Sequence, residues 1–254
     1  MLLAVDIGNT IIGIGLFEGQ TLRHHWRIAS RRDGTPDEYS VLVTNLFTSA
    51  RIPIQRVTGM IQASVVPSLD ATWTEVGQRL LGVLPLTVEP GIKTGMPVLY
   101  DNPREVGADR IVNAVAAYEA YGGPAIVVDF GTATTFDAIS ERGEYLGGAI
   151  SPGVGISAEA LFERAAKLPR VEFVRPRSVI GKNTVQSIQA GLFFGTMSLV
   201  DGMVRRISHE LGGQPAVVGT GGFAHLILAE SETVKHVDPL LTLTGLRIIF
   251  ERNR

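Results

Sequence analysis

The 254-residue sequence contains no cysteine. Disulfides, thiolate zinc sites and thiol nucleophiles are thereby excluded, and any catalytic or metal-binding group must work through oxygen or imidazole. A basic surplus is missing as well: 23 Lys and Arg stand against 25 Asp and Glu, a formal net charge of -2. That balance does not neutralise a run of nucleic-acid phosphates, so no nucleic-acid partner is expected. Long apolar runs are absent too. The opening stretch from Met1 to Val5 has no basic lead-in and meets Asp6 at once, far short of a signal-peptide core. Nothing approaches the roughly 20 apolar residues of a membrane span; the stretch 193–204 is interrupted by Gly195, Ser198, Asp201 and Gly202. No membrane partner is expected, and the cytoplasm is the expected location. No Gly-x-x-x-x-Gly-Lys-Ser/Thr run exists, which rules out a P-loop as the phosphate site, and no Gly-x-Ser-x-Gly turn of a serine hydrolase is present. The five histidines, at 24, 25, 209, 225 and 236, show no ligand-like spacing with carboxylates.

What is present is an ordinary α/β balance, 45% hydrophobic and 19% charged with 29 glycines, in a chain long enough for two domains. One local pattern occurs twice, half a chain apart. Leu2-Leu3-Ala4-Val5 runs into Asp6-Ile7-Gly8-Asn9-Thr10, and Ala125-Ile126-Val127-Val128 into Asp129-Phe130-Gly131-Thr132-Ala133. Each apolar run reads as a buried strand, and each is followed by two more strands: 11–17 and 22–28 across a turn at 18–20, then 134–140 and 145–150 across a turn at 141–144.

Helix signals follow in both halves. Thr35-Pro36-Asp37-Glu38 supplies an N-cap, a proline at the first helical position and a capping-box Glu, which predicts a helix over 36–50. A strand at 56–65, a helix at 69–81 and a strand at 83–88 complete the first half. A helix at 110–121 leads to the boundary. The second half shows helices at 156–166, 185–211 and 242–250 and a strand at 215–218. The expected fold is therefore α/β, with two duplicated mixed five-stranded sheets flanked by helices. The expected domains are 1–117 and 118–254, with a cleft between them. The irregular stretch 89–106, with Pro90, Gly91, Gly95, Pro97 and Pro103, is expected to be a substrate loop, since loops of this length in compact domains usually carry function.

A strand that ends in Asp-x-Gly and turns straight into the next strand presents backbone N–H groups in a tight bend where phosphate oxygens can approach. The carboxylate at the strand end would repel phosphate unless a cation lay between them. Asp6 is the candidate Mg²⁺ holder, directly or through water, with Asn9, Thr10 and Thr132 as neutral donors. One such turn is most simply an ordinary hairpin; two equivalent turns, facing each other across a cleft, suit a nucleotide. Neither turn has a lysine. Gly219-Thr220-Gly221-Gly222, after the strand at 215–218, either lets adenosine approach the backbone or is a plain connection. Phosphoryl transfer also needs a group to receive the acceptor's proton, and Gly107-Ala108-Asp109-Arg110 places Asp109 at a helix start. Gly191 and Gly195, with Ala190 and Ser198, give the long helix one small-residue face, either a dimer seam or an internal helix contact.

These motifs fall in the order of a known family. Asp6-Ile7-Gly8-Asn9-Thr10, Tyr100-Asp101-Asn102-Pro103, Gly107-Ala108-Asp109-Arg110, Asp129-Phe130-Gly131-Thr132-Ala133-Thr134-Thr135, residues 147–153 (Gly-Gly-Ala-Ile-Ser-Pro-Gly), Gly181-Lys182-Asn183-Thr184 and residues 238–246 together resemble type III pantothenate kinases over nearly the whole chain, and so the actin-like (ribonuclease H-like) superfamily. The resemblance implies transfer of the ATP γ-phosphoryl group to pantothenate, giving 4'-phosphopantothenate in the first step of coenzyme A synthesis, by a homodimer that needs Mg²⁺ with ATP and a monovalent cation, K⁺ or NH4⁺. It implies ATP-phosphate contacts from Asp6, Ile7, Gly8, Asn9, Thr10, Ile11, Ile12 and Gly13, with Thr132 as a second nucleotide contact. Tyr100, Gly107, Ala108, Asp109 and Arg110 match the pantothenate site, with Asp109 as general base. Thr184 matches a substrate contact from the partner subunit and Asp129 a K⁺ ligand. Arg110 is either the partner of the substrate carboxylate or a structural ion-pair partner of Asp109 or Glu105. The competing expectations are a kinase for another small alcohol, a polyphosphate-splitting phosphatase of the same architecture, a non-catalytic regulatory relative and a filament-forming protein.

Overall fold

The computed structural model describes residues 1–254. The first sheet is built from β1 (Leu2–Ile7), β2 (Ile11–Glu18), β3 (Thr21–Ala29), β4 (Gly59–Ser64) and β5 (Leu86–Thr87), in the order β3-β2-β1-β4-β5. The second is built from β6 (Ala125–Phe130), β7 (Ala133–Ile139), β8 (Tyr145–Pro152), β9 (Ala216–Gly221) and β10 (His236–Val237), in the order β10-β9-β6-β7-β8. Taken from its other edge, the second order repeats the first. In both, the opening strand pairs antiparallel with its successor and parallel with a later strand. This is the duplicated actin-like arrangement, two mixed five-stranded sheets with flanking helices.

The chain divides into two compact units, Met1–Ala116 with Leu241–Arg254, and Ala117–Leu240. Helix α3 (Ala108–Tyr121) spans the division, and the last helix, α7 (Leu241–Arg252), returns to the first unit. A single boundary at 117/118 would leave α7 with the second. The reason for its return lies in the small residues of the first unit: a Cβ on Gly59 would lie 2.5 Å from the Phe250 ring, one on Gly15 3.1 Å from Leu243, and Gly245 itself sits against the Val112 carbonyl of α3. Leu243, Leu246, Ile248 and Ile249 are buried there.

In the first unit α1 (Pro36–Ser49) starts at a complete capping box, with the Glu38 amide donating to Thr35 Oγ1 at 3.3 Å and the Thr35 amide to Glu38 Oε2 at 2.9 Å. It buries Tyr39, Val43 and Phe47. Helix α2 (Pro67–Val76) continues as a wider turn to Leu81 and stops at Gly82, whose φ of 66° is left-handed. The strand expected at 83–88 is reduced to Leu86–Thr87, because Pro85 has no N–H to give a ladder. The second unit carries α4 (Val154–Arg164), α5 (Thr184–Leu211) and α6 (Ala224–Leu228); α6 and β10 have no counterpart in the sequence expectations.

Strand alternation fixes the faces on which the carboxylates lie. Leu3, Val5 and Ile7 belong to one core with Tyr39, Phe47 and Trp73, while Ile126, Val128 and Phe130 belong to the other with Phe136, Val200 and Val204. Asp6 and Asp129 therefore lie on the opposite face of each sheet, at equivalent positions one residue before the strand's end.

Candidate functional site

The first turn is closed by the Gly8 amide donating to the Ile11 carbonyl at 3.1 Å, and a Cβ on Gly8 would lie 2.8 Å from that oxygen. No other residue fits without opening the bend. Asn9 and Thr10 at its tip are exposed, and Asp6 behind it is half-buried. Asp6 pairs across the ladder with Gly13, and a Cβ there would be 3.9 Å from Asp6 Oδ2. The second turn is one residue shorter: the Gly131 amide donates to the Ala133 carbonyl at 3.1 Å. Thr132 is exposed at its tip, its carbonyl accepting from the Gly153 amide at 3.2 Å. Asp129 pairs with Thr135 on one side and Thr220 on the other.

Gly219 to Gly221 are not a connection after a strand but part of β9 itself. Leu228 fills the space beside Gly219, and Gly221, at φ +93°, lies where a Cβ would be 2.5 Å from Asp129 Oδ1. Only a residue without a side chain can pack this closely against the carboxylate. Both Asp6 and Asp129 are hard oxygen donors suited to Mg²⁺ or K⁺. No group of three or more His, Asp or Glu side chains converges as a metal cluster.

Asp109 stands in the first turn of α3, where its Oδ1 accepts from the Arg110 amide at 2.8 Å. Burial pushes its carboxyl above the ordinary value; the Arg110 amide and guanidinium act in the opposite direction and do not cancel it. Although close packing desolvates the group, it keeps a window to solvent. Gly107 makes the approach possible, since a Cβ there would lie 2.5 Å from Asp109 Oδ1. Ala108 is half-buried and Arg110 is buried.

Within the first unit these parts are joined through Val65. Its amide donates to the Ile7 carbonyl at 3.0 Å, and its Cγ1 lies 3.7 Å from the Cβ position of Gly107. The β1 end and the Asp109 segment are thus neighbours. Tyr100 is exposed in 89–106, a stretch whose one helical turn, Pro103–Glu105, is capped by Asn102 Oδ1 accepting from the Arg104 amide at 3.3 Å. In the second unit Asp129 and Thr132 lie together at the β6–β7 turn. Thr184 heads α5, exposed, after the N-cap Asn183, whose Oδ1 accepts from the Gln186 amide at 2.9 Å.

One residue escaped the sequence reading. Arg32 Nη2 donates to Asn9 Oδ1 at 3.2 Å, which puts a guanidinium at a turn that has no basic residue of its own. The only signal was the pair Arg31-Arg32 after β3, and nothing in their spacing tells which returns to the turn; Arg31 pairs with Glu38.

A family model described as type III pantothenate kinase matches residues 2–206. A protein of Moorella thermoacetica named type III pantothenate kinase is 58% identical over 253 residues, covering 100% of both chains. Among solved structures, a conserved putative Baf family transcriptional activator from Campylobacter jejuni aligns with a TM-score of 0.64 at 20% identity, covering 99% of this chain and 98% of that one. An activator of 2-hydroxyisocaproyl-CoA dehydratase from Clostridium difficile, with bound ADPNP, aligns with a TM-score of 0.53 at 11% identity, covering 99% and 93%. At such identities these structures speak for the fold alone.

Proposed function

The chain belongs to the type III pantothenate kinase family and phosphorylates pantothenate with ATP in coenzyme A synthesis, and we propose that Asp109 is the general base of that transfer. The observation that carries this role is a desolvated carboxylate, raised above its ordinary value, in the same unit as the first Asp-x-Gly turn and joined to it through Val65. A base must be ionised when the alcohol attacks yet basic enough to take its proton, and a raised carboxyl meets both demands better than an ordinary one.

In this reading the turn from Asp6 to Gly13 binds ATP phosphates through its amides and through Asn9 and Thr10, and Thr132 supplies a second nucleotide contact. Asp6 would hold Mg²⁺ and Asp129 K⁺ or NH4⁺; what supports the latter is the place of Asp129 one residue before the end of β6, behind the second turn, equivalent to that of Asp6 in β1. A divalent ion with ATP supplies charge neutralisation at the transferring phosphoryl group. Tyr100, the segment from Gly107 to Arg110, and Thr184 are assigned to pantothenate. No helix is long and apolar enough to cross a membrane, and the cytoplasm is the proposed place of action.

Assembly as a homodimer is part of the proposal. It is supported by the open groove along α5 lined by Ser187, Ala190, Gly191, Gly195 and Ser198, and by the exposed Val179 and Ile180 beside it. The test is an assay with ATP, Mg²⁺ and pantothenate in K⁺ buffer. Formation of 4'-phosphopantothenate by the unaltered chain, and its loss in Asp109→Asn, are expected; turnover of hexoses in preference to pantothenate would favour another acceptor.

A further inference from the structure

Residues 93–95 of the irregular stretch are held by the end of α7, some 160 positions away in sequence. The Asn253 side chain meets the Lys93 peptide on both sides: Oδ1 accepts from the Lys93 amide at 3.2 Å and Nδ2 donates to the Lys93 carbonyl at 2.9 Å. Nδ2 also donates to the Ile249 carbonyl at 2.8 Å, which ties the amide group to its own helix. Beside it the Arg252 guanidinium donates to the Thr94 carbonyl. Gly95, at φ +71°, passes so close under Arg252 that a Cβ would lie 2.7 Å from Nη1. Thr94 Oγ1 then accepts from the Met96 amide at 3.2 Å, and Met96 is buried.

Beyond this anchor Val98 is half-buried and forms a single β-bridge. Leu99 and Tyr100 are 55% and 37% exposed, and on their far side the Asn102 cap holds the chain, where Asn102 Nδ2 also donates to Glu105 Oε1 at 2.8 Å. Tyr100 thus sits between two fixed points. One belongs to the loop itself and the other is α7. The same helix lies against Gly13 and Gly15 of β2 and against Val112 of α3, with Thr242 Oγ1 donating to Asn113 Oδ1 at 2.7 Å. A single rigid element therefore sets the loop, the strand after the first turn and the helix that carries Asp109 in one frame.

We propose that Asn253 and Arg252 are positioning residues for pantothenate binding, acting through the loop that carries Tyr100. The proposal rests on the assignment of that loop to the pantothenate side. A loop freed at 93–95 samples conformers that do not bind, and apparent affinity falls with the competent fraction. The nucleotide turns keep their own hydrogen bonds and are untouched.

The experiment uses the full chain with Asn253→Ala, Arg252→Ala and Asn253→Asp, the last keeping an acceptor for the Lys93 amide but losing the Nδ2 donor. Each is measured for steady-state kinetics in both substrates, thermal unfolding and amide hydrogen exchange. Expected are a pantothenate KM raised about 5–20-fold in the alanine variants and less in Asn253→Asp, with an ATP KM within about twofold. Exchange should quicken in 93–101 while β1 and β6 keep their protection. Unchanged pantothenate KM despite faster loop exchange would overturn the proposal, and so would a uniform loss of protection with both KM values moving together, the mark of a merely structural tie. If the unaltered chain made no phosphopantothenate, the functional assignment would fail on its own, whereas the exchange data would still decide whether α7 holds the loop.

Discussion

Gly221 leans directly on Asp129: a Cβ at 221 would sit 2.5 Å from Asp129 Oδ1 and 2.7 Å from the backbone of Phe130. The φ of +93° adds strain for any L side chain. Gly221→Ala should therefore displace the proposed K⁺ ligand without touching the first turn. The concentration of K⁺ giving half-maximal activity is expected to rise at least about tenfold, with a smaller change in pantothenate KM. Should the variant fold poorly, Asp129→Asn reads the same contact, and equal rates in Na⁺ and K⁺ for the unaltered chain would remove the assignment altogether.

Gly107 stands to Asp109 much as Gly221 stands to Asp129, and here the consequence is for proton transfer. Asp109→Asn should lower kcat by about 10²–10⁴ while leaving ATP affinity nearly intact. Because burial raises the carboxyl's pKa in the folded state, the acid limb of the kcat profile should lie above the ordinary value of 3.8, with activity falling as pH drops through it.

The same shift carries a stability consequence of opposite sign. A carboxyl raised on folding favours the folded state when protonated, and that contribution is lost as pH rises through the folded-state pKa. Asp109→Asn should thus unfold at a higher temperature than the parent at neutral pH, with the gap closing towards pH 3.8 and below. Scanning calorimetry across that range checks it, and a variant less stable at pH 7 would contradict the desolvation argument.

Much of the fold was legible because local chemistry and global pattern agree. The capping box at Thr35, the two Asp-x-Gly turns and the period-two apolar runs each name their own structure, and the strand order repeats as the duplicated motif implies. The local geometry of the candidate site was legible where a motif is contiguous, as in Gly107 to Arg110, whose Asp109 stands in the first turn of α3 as expected. What was hidden depends on contacts between distant parts of the chain. The return of α7 is written in Gly13, Gly15 and Gly59, which read as strand glycines until Leu243 and Phe250 are seen beside them. Gly219 and Gly221 look like a turn because Gly-rich sequence usually is one; they are strand residues thinned to admit Leu228 and Asp129.

Arg32 is the case where a long-range contact changes the chemistry. Its guanidinium keeps further donors after the bond to Asn9 Oδ1, and it forms no ion pair with a carboxylate. Arg32→Gln should raise the ATP KM about 3–10-fold, with the loss shrinking at high ionic strength because the contact is exposed and screened. Pantothenate KM should move by less than twofold. Isothermal titration with ATP and AMP separates a phosphate effect from a general one: an equal loss for both nucleotides would mean that Arg32 only holds the turn in place.

The groove along α5 allows the proposed dimer to be tested with little ambiguity from folding. A Cβ added at Gly191 or Gly195 meets nothing within 4 Å in its own chain, and replacing a helix-interior glycine by arginine favours the helix by roughly 0.8 kcal/mol. Gly195→Arg should then be tolerated by the isolated subunit while a second copy on that face is excluded. Light scattering is expected to show the parent at twice the mass of the 254-residue chain and the variant at one. If Thr184, at the head of the same helix, serves the partner's substrate site, the variant's pantothenate turnover falls with its mass. A variant that stays dimeric and fully active would place the seam elsewhere and leave the small-residue face of α5 without a role in assembly.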